Sequence, residues 1–332
     1  MNWLQIWLLT PALLLLGIST HEVVLRQAKH EPSINDNADL FCDVYSQVQE
    51  LEPDDVILLG ASRMQTGFDL KVFHNKFPRR KSILLAQSGR GSSYPVFEEI
   101  VKKSDFKGIV IIEETEDTLM SRKYKGQKYT QKEFVDYCNR QFTLNQQVNH
   151  RISALLESQF VFVKNEGSPL RRLWVNLLSQ RQLPEQFYFK TILSREQLID
   201  YDRADILSLE EFRDRVMEEV KEKAQQSVMS PEEWLGKTEH WWSTVNQFRA
   251  RGGRVIFVRM PVSQERWKFE SQIAPTENYW NRFVDKLNVK SIHFADYPDL
   301  SNFNLPDTSH MDMGDKPVFT RLLLTHLENE LQ

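Results

Sequence analysis

A chain of 332 residues, 41% hydrophobic and 11% aromatic, can bury one large core or two small ones and is not a disordered polymer. Its 42 basic and 46 acidic residues leave a net charge of -4, which offers no overall positive field for nucleic acid and sets that partner aside. Cys42 and Cys138 make neither a Cys-x-x-Cys pair nor a four-ligand zinc set; one disulfide or two buried thiols both remain open.

The stretch from Trp3 to Ile18 is mostly apolar and carries no acidic or basic side chain. A bilayer core of about 30 Å takes about 20 residues of helix, so the stretch is marginal for a span and also long enough for a signal-peptide core. Gly17 and Ser19 have the spacing of a cleavage site, yet no Lys or Arg precedes the stretch, which favours an uncleaved anchor. Trp3 and Trp7 suit a membrane interface; a buried helix of a soluble protein is the remaining reading. Arg26 and Lys29 follow the stretch, a two-charge bias against export of what comes after it. Residues 20–37 are polar and read as a linker, and Ala38 to Leu51 has helical periodicity.

Val56, Ile57, Leu58 and Leu59 form a continuous apolar run ended by Gly60, the pattern of a strand buried on both faces of a parallel sheet. Ser62 then stands just past the carboxyl end of that strand, where open α/β sheets bind their ligands. It is a candidate nucleophile, with helix capping as the competing role. Phe68 to Phe77 reads as a short helix and Ser82 to Ala86 as a second buried strand. The loop Gln87-Ser88-Gly89-Arg90-Gly91-Ser92-Ser93-Tyr94 leads into a helix through about Lys103.

Gly-x-Gly between strand and helix, with Glu113 and Glu114 downstream, hints at a dinucleotide fingerprint. Tyr94 takes the third glycine's place and the motif follows the second strand, so that reading is set aside. Gly89 better serves by leaving its backbone N–H unobstructed beside Ser62. Ile109 to Ile112 gives a third strand, followed at the same edge by the acidic run Glu113 to Asp117. Carboxylates there oppose a developing oxyanion, so they are expected in a solvated loop or paired with Arg63, Arg90 or Arg122. No spaced Asp/Asn/Gly calcium loop is present, and no metal site is assigned.

Lys128 to Gln159 and Ser208 to Gln226 are charged and helix-rich, with Leu209, Phe212, Val216 and Val220 on one apolar face. They read as a helical insertion over the sheet edge, either a lid or a packing module. Trp234, Trp241 and Trp242 could stack on sugar rings, but their helical spacing favours the core. A helix from Trp241 to Arg251 stops at Gly252-Gly253 before a fourth strand, Arg254 to Arg259, an order that fits a right-handed crossover. Tyr279 to Leu287 is a further helix and Ser291 to Phe294 a fifth strand. In the turn-prone segment Leu305 to His310, Asp307 and His310 are three apart, so one turn sets the carboxylate against one ring nitrogen and leaves the other free. The final helix runs from Lys316 to Leu331.

These blocks, in this order, resemble the SGNH (GDSL-like) hydrolase superfamily. Gly60-Ala61-Ser62-Arg63 stands where that family has Gly-Asp-Ser, Gly89 stands for the glycine after strand two, and Asp307-Thr308-Ser309-His310 for Asp-x-x-His before the last helix. The likeness covers roughly residues 50–120 and 235–330. It implies an α/β fold, a three-layer, flavodoxin-like arrangement on a parallel sheet; the helical insertion at about 121–230, which the family does not predict, and the N-terminal hydrophobic anchor are read from the residues themselves. The implied division is an anchor or signal peptide at 1–19, a linker at 20–37 and the hydrolase-like domain at 38–332.

The resemblance further implies Ser62 as nucleophile, His310 as general base, Asp307 as its orienter, the N–H groups of Ser62 and Gly89 as oxyanion donors, and no cofactor. The departure is the third block, where no Asn follows strand three; one such donor is worth about 10² to 10³ in kcat, and Asn302 or Asn304 is the candidate replacement. The residues around Ser62 and Gly89 look most like membrane-attached SGNH-like proteins of bacterial surface-polysaccharide acylation. That likeness implies an acylated carbohydrate or small ester substrate, esterase or O-acyltransferase chemistry, and polysaccharide-pathway proteins as partners. It also implies membrane attachment through residues 3–18 and a domain in the periplasm or at the cell surface. The absent Asn and the insertion leave open a second role, a catalytically weak, membrane-tethered binding or assembly protein.

Overall fold

The computed structural model describes residues 3–27, 29–120, 130–163, 188–204, 206–225 and 229–331. Its elements begin with α1 (Trp3–Gln27), α2 (Ala38–Tyr45), β1 (Val56–Leu59), α3 (Ser62–Gly67), α4 (Leu70–Lys76), β2 (Ser82–Leu84), α5 (Tyr94–Lys103), β3 (Ile109–Glu113) and α6 (Glu116–Met120). Next come α7 (Gln131–Arg140), α8 (Leu144–Gln159), β4 (Tyr188–Thr191), β5 (Gln197–Asp200), α9 (Ile206–Gln225), α10 (Pro231–Lys237) and α11 (His240–Ala250). The last part is β6 (Arg254–Arg259), α12 (Gln264–Ile273), α13 (Trp280–Leu287), β7 (Lys290–His293), α14 (Pro298–Ser301), α15 (Lys316–His326) and α16 (Glu328–Leu331).

Strands that are apolar on successive residues need cover on both faces. The five runs pair in parallel in the order β2-β1-β3-β6-β7, and alternate side chains divide between two cores. Ile57, Leu59, Val110, Ile112 and Phe257 pack with Phe41 of α2, Phe97 of α5, Trp241 and Phe248 of α11 and Phe283 of α13. Val56, Leu58, Ile109, Ile111 and Val258 pack with Met64 of α3, Phe73 of α4 and Phe319 and Leu323 of α15. The result is a three-layer α/β fold. Because the chain leaves β1 for β2 on one side and returns to β3 on the other, the strand order reverses between β1 and β3. The carboxyl ends of strands at such a reversal are where open α/β sheets hold their ligands.

Several boundaries differ from the sequence reading for physical reasons. The helix expected over Phe68 to Phe77 is α4, capped by Asp69 through the Val72 N–H at 2.9 Å, and a further short helix, α3, precedes it and starts at Ser62 itself. Helix α1 runs on to Gln27, where Glu22 accepts the N–H groups of Val161 and Phe162. The stretch after it is a strap rather than a free linker: Ile34 N–H donates to Thr191 O at 2.9 Å and Asp36 pairs with Arg195 at 2.8 Å.

Between β3 and β6 the chain adds, besides helices, the antiparallel hairpin β4–β5, whose four-residue strands are too short to announce themselves. On α9, Met217 and Val220 are buried. Trp234 and Trp241 are core residues, their indole N–H groups donating to Glu116 O and Leu119 O.

One described helix, Gln5–Gln27, is long and apolar enough to cross a membrane, and Trp3, Trp7 and Leu13 to Leu16 on α1 are exposed. Cys42 and Cys138 are joined in a disulfide that ties α2 to α7 with Cα atoms 5.3 Å apart. That bond closes a loop of 96 residues' separation. Replacing both cysteines by Ala is expected to lower the free energy of unfolding by about 2–5 kcal/mol, read as an earlier midpoint in a denaturant titration of the full chain in mild detergent. An unshifted midpoint would show that the cross-link adds nothing.

Candidate active site

Strand β1 ends against β3 so closely that a Cβ on residue 60 would lie 2.7 Å from the Glu113 Cβ, and Gly60 takes a φ of +145 there. Only glycine fits both demands. The Ala61 N–H donates to Glu113 Oε2 at 2.8 Å, and α3 begins at the next residue with Ala61, not Ser62, at its N-cap. Ser62 therefore does not cap the helix. It occupies the first helical position, where the backbone N–H has no intrahelical acceptor, and its hydroxyl lies 2.7 Å from His310 Nε2.

The other half of the site is a tight turn. Asp307 Oδ1 accepts the backbone N–H groups of Ser309 and His310 at 3.0 and 2.8 Å, and Oδ2 lies 2.6 Å from His310 Nδ1. An ionised carboxylate only accepts, so Nδ1 carries the proton and Nε2 is left to accept from Ser62. Burial alone would raise the Asp307 carboxyl. The charge and hydrogen bond of His310 and the two backbone donors outweigh it and hold the group at about 2.

Thr308 between them takes a φ of +83, a conformation that costs about 1–3 kcal/mol and persists only where the surroundings impose it. Here Ser263 N–H donates to Thr308 O at 2.8 Å and Arg266 reaches Thr308 Oγ1 at 3.3 Å. Tyr201 OH, from the segment after β5, donates to His310 O at 3.3 Å.

The acidic run is buried rather than solvated: Glu113, Glu114 and Glu116 are all shielded from water. Glu113 lies 3.7 Å from Arg63, and Glu116 pairs with Arg259, which also meets Glu270, itself paired with Arg266. Arg63, Arg259 and Arg266 thus balance the carboxylates beside the serine. Burial lowers the Arg63 pKa, and Arg266 and Arg259 lower it further against Glu113 and Glu270. Glu114 is pushed up to about 7, chiefly by burial, while its oxygen accepts from Ser92 Oγ, Ser93 N–H and Ser93 Oγ and so fixes the end of the glycine loop. The pairing expected with Arg63 is present; Arg122 lies outside the described residues.

Gly89 sits in that loop with a φ of +69. Its neighbour Ser88 donates its N–H to Gln65 Oε1 on α3 at 2.8 Å, and Gln131 Nε2 bridges Gly60 O and Gly91 O at 2.9 Å each. The loop is thereby tied to the segment that carries Ser62. Asn302 and Asn304 are exposed and make no hydrogen bond to Ser62, Gly89 or His310 among the described residues. Sequence reasoning missed Gln131, Gln65 and Tyr201, which lie on elements without a motif. It also missed the holding role of Glu113, whose place just after a strand was the signal. Among the described residues no group of three or more His, Cys, Asp or Glu is gathered to hold a metal.

No family model and no curated protein matches this chain. Seventeen solved chains match it in fold. One, the crystal structure of TesA, aligns over 84% of this chain and all of its own at 8% identity and a TM-score of 0.38, a likeness that carries no argument about activity.

The depressed Asp307 carboxyl has a consequence for acid stability. Its folded value of about 2 lies below the ordinary 3.8, so as pH falls the unfolded chain binds the proton first. The contribution, on the order of 2 kcal/mol, is whole above about pH 4 and is lost as pH drops toward about 2. Asp307→Asn is expected to be less stable than the parent at neutral pH, with the gap closing across that window. Denaturant titrations at a series of pH values test this, and a gap independent of pH would refute it.

Proposed function

We propose that this chain is a membrane-tethered serine acyl-transfer enzyme of the SGNH type, acting on an acylated cell-surface saccharide as an esterase or an O-acyltransferase. The observation that carries the reading is the hydrogen-bonded row from Asp307 Oδ2 through His310 to Ser62 Oγ, with steps of 2.6 and 2.7 Å. His310 Nε2 takes the hydroxyl proton as Ser62 Oγ attacks an ester carbonyl, and Asp307 holds the imidazolium in place. The tetrahedral oxyanion is met by the backbone N–H groups of Ser62 and Gly89. Collapse expels the alcohol, which leaves with the proton from His310. Water then hydrolyses the acyl-serine, or a sugar hydroxyl takes the acyl group.

Helix α1 is the tether, and the domain is read as extracytoplasmic. The Cys42–Cys138 disulfide supports that side, because such bonds persist in oxidising compartments. Arg26 and Lys29 weigh the other way, by two charges only.

The test is labelling of the detergent-solubilised chain with a fluorophosphonate serine probe and peptide mapping. Ser62 is expected to carry the label, His310→Ala to abolish it, and Ser62→Ala to cut hydrolysis of 4-nitrophenyl acetate by about 10³-fold or more. Folded protein that takes no label would instead point to the binding or assembly role.

A further inference from the structure

Helix α8 carries its apolar side chains on the wrong side for a core. Leu144, Val148, Ile152, Leu155, Leu156 and Phe160, just past its end, recur at steps of three and four residues and so share one face. All six are between 40% and 74% exposed. The opposite face does the packing: His150 and Ala154 are buried, Ala154 against Ile34 and Leu40. The stripe runs about 24 Å at 1.5 Å per residue, and a contiguous exposed apolar surface of that kind marks a partner or a membrane.

The charges of α8 keep clear of the stripe. Arg151 pairs with Asp43 of α2 at 2.9 Å, and Glu157 accepts the Asn35 N–H of the strap at 2.9 Å. Only amides, Asn145, Asn149 and Gln159, flank the apolar side chains. A neutral apolar face fits hydrocarbon and has no means of selecting an anionic headgroup.

What covers the stripe follows from where it leads. At its end the Phe160 and Phe162 rings lie 5.7 Å apart, and Phe162 shares one groove with Leu13, Leu14, Gly17 and Ile18 of α1. The junction is clamped by polar bonds. Arg26 donates to Gln159 O at 2.7 Å, and Glu22 accepts the N–H groups of Val161 and Phe162 at 3.0 and 3.1 Å. Leu13 to Ile18 belong to the helix that is apolar enough to cross a membrane. With α1 as the tether, Phe162 sits at the level of the bilayer and the stripe runs on from the membrane-spanning surface without a break.

We propose that α8 lies along the lipid surface with its apolar stripe sunk in the boundary between headgroups and acyl chains, a second membrane contact that fixes how the tethered domain sits on the bilayer. The inference rests on the reading of α1 as the tether. That tether also makes a single neutral stripe sufficient, because contact by α8 is then an intramolecular step at high effective concentration. A helix of this type sinks about 5–10 Å into the boundary.

The two native cysteines are paired, so one introduced cysteine is the one free thiol for a fluorescent label. The full chain is placed in phosphatidylcholine nanodiscs with the label at Ile152→Cys or Leu155→Cys on the stripe, Ser153→Cys off it, or Leu14→Cys on α1. Quenching by a nitroxide near the top of the lipid acyl chain is compared with quenching by aqueous iodide. Ile152 and Leu155 are both exposed, so either position serves if the other variant fails to fold. The stripe labels are expected to be quenched by the lipid nitroxide about threefold more than the Ser153 label, which iodide should reach instead.

Stripe labels reached by iodide and spared by the lipid nitroxide overturn the proposal. Stripe labels sheltered from both quenchers overturn it too, and give the face to residues 164–187 or to a second copy of the chain. Equal lipid quenching at Ser153 and Ile152 denies the stripe any role. In each of these cases a lipid-quenched label at Leu14 leaves the tether standing, whereas a Leu14 label that lipid does not quench removes the tether and this inference together.

Discussion

A buried ammonium group joins the two halves of the site. Lys316, 1% exposed at the start of α15, donates from Nζ to Gln65 O at 3.1 Å and to Gln197 O at 3.3 Å, and pairs with Glu196 at 3.2 Å. A buried charge is tolerated only when paired and hydrogen-bonded. Burial lowers the Lys316 pKa and Glu196 counters it. The three partners lie on the serine helix and on the hairpin, while Lys316 itself follows the histidine turn. Ser62 and His310 are 248 residues apart in sequence, and a proton passes between them only if their elements are fixed to a fraction of an ångström. The lysine, Glu196 and Gln65 form the rigid part of that frame.

The hairpin β4–β5 is the junction through which the rest of the chain reaches this frame. Its Glu196 also accepts the Leu70 N–H of α4 at 3.2 Å. Arg195, fully buried with a φ of +67, points the other way, to Asp36 of the strap and Leu84 O of β2. A left-handed backbone on a long side chain costs about 1–3 kcal/mol, offset here by the buried ion pair that the turn makes reachable. The strap continues to α1. Helix α1, strap, hairpin and serine segment are thus joined in one series of contacts.

Continuous apolar runs at Val56 to Leu59, Ile109 to Ile112 and Val255 to Val258 were legible as sheet strands because hydrophobic period is a local property. Asp307 and His310 were legible for the same reason: a three-residue spacing in a turn closes its own hydrogen bonds. The acidic run was read only in part: its pairing with Arg63 was expected, but its burial was not, because its other neutralising partners are distant, Arg259 lying 143 residues from Glu116. A local rule assigns a run of carboxylates to solvent. The hairpin and the strap escaped notice likewise, and the disulfide stood only as one of two alternatives, since each depends on a partner that no spacing announces.

Burying the carboxylates also bears on the absent third-block Asn. Glu113 stands at the end of β3 and spends its oxygens on the Ala61 N–H and Arg63. An ionised carboxylate cannot donate, so in the acyl-transfer reading the oxyanion is left to backbone N–H groups. Losing one side-chain donor costs about 10² to 10³ in kcat. What Glu113 provides instead is position: its bond to Ala61 sets the angle at which β1 gives way to the serine helix, and its charge is cancelled by an arginine next to the nucleophile. Such a site trades stabilisation of the oxyanion for a nucleophile held in one orientation.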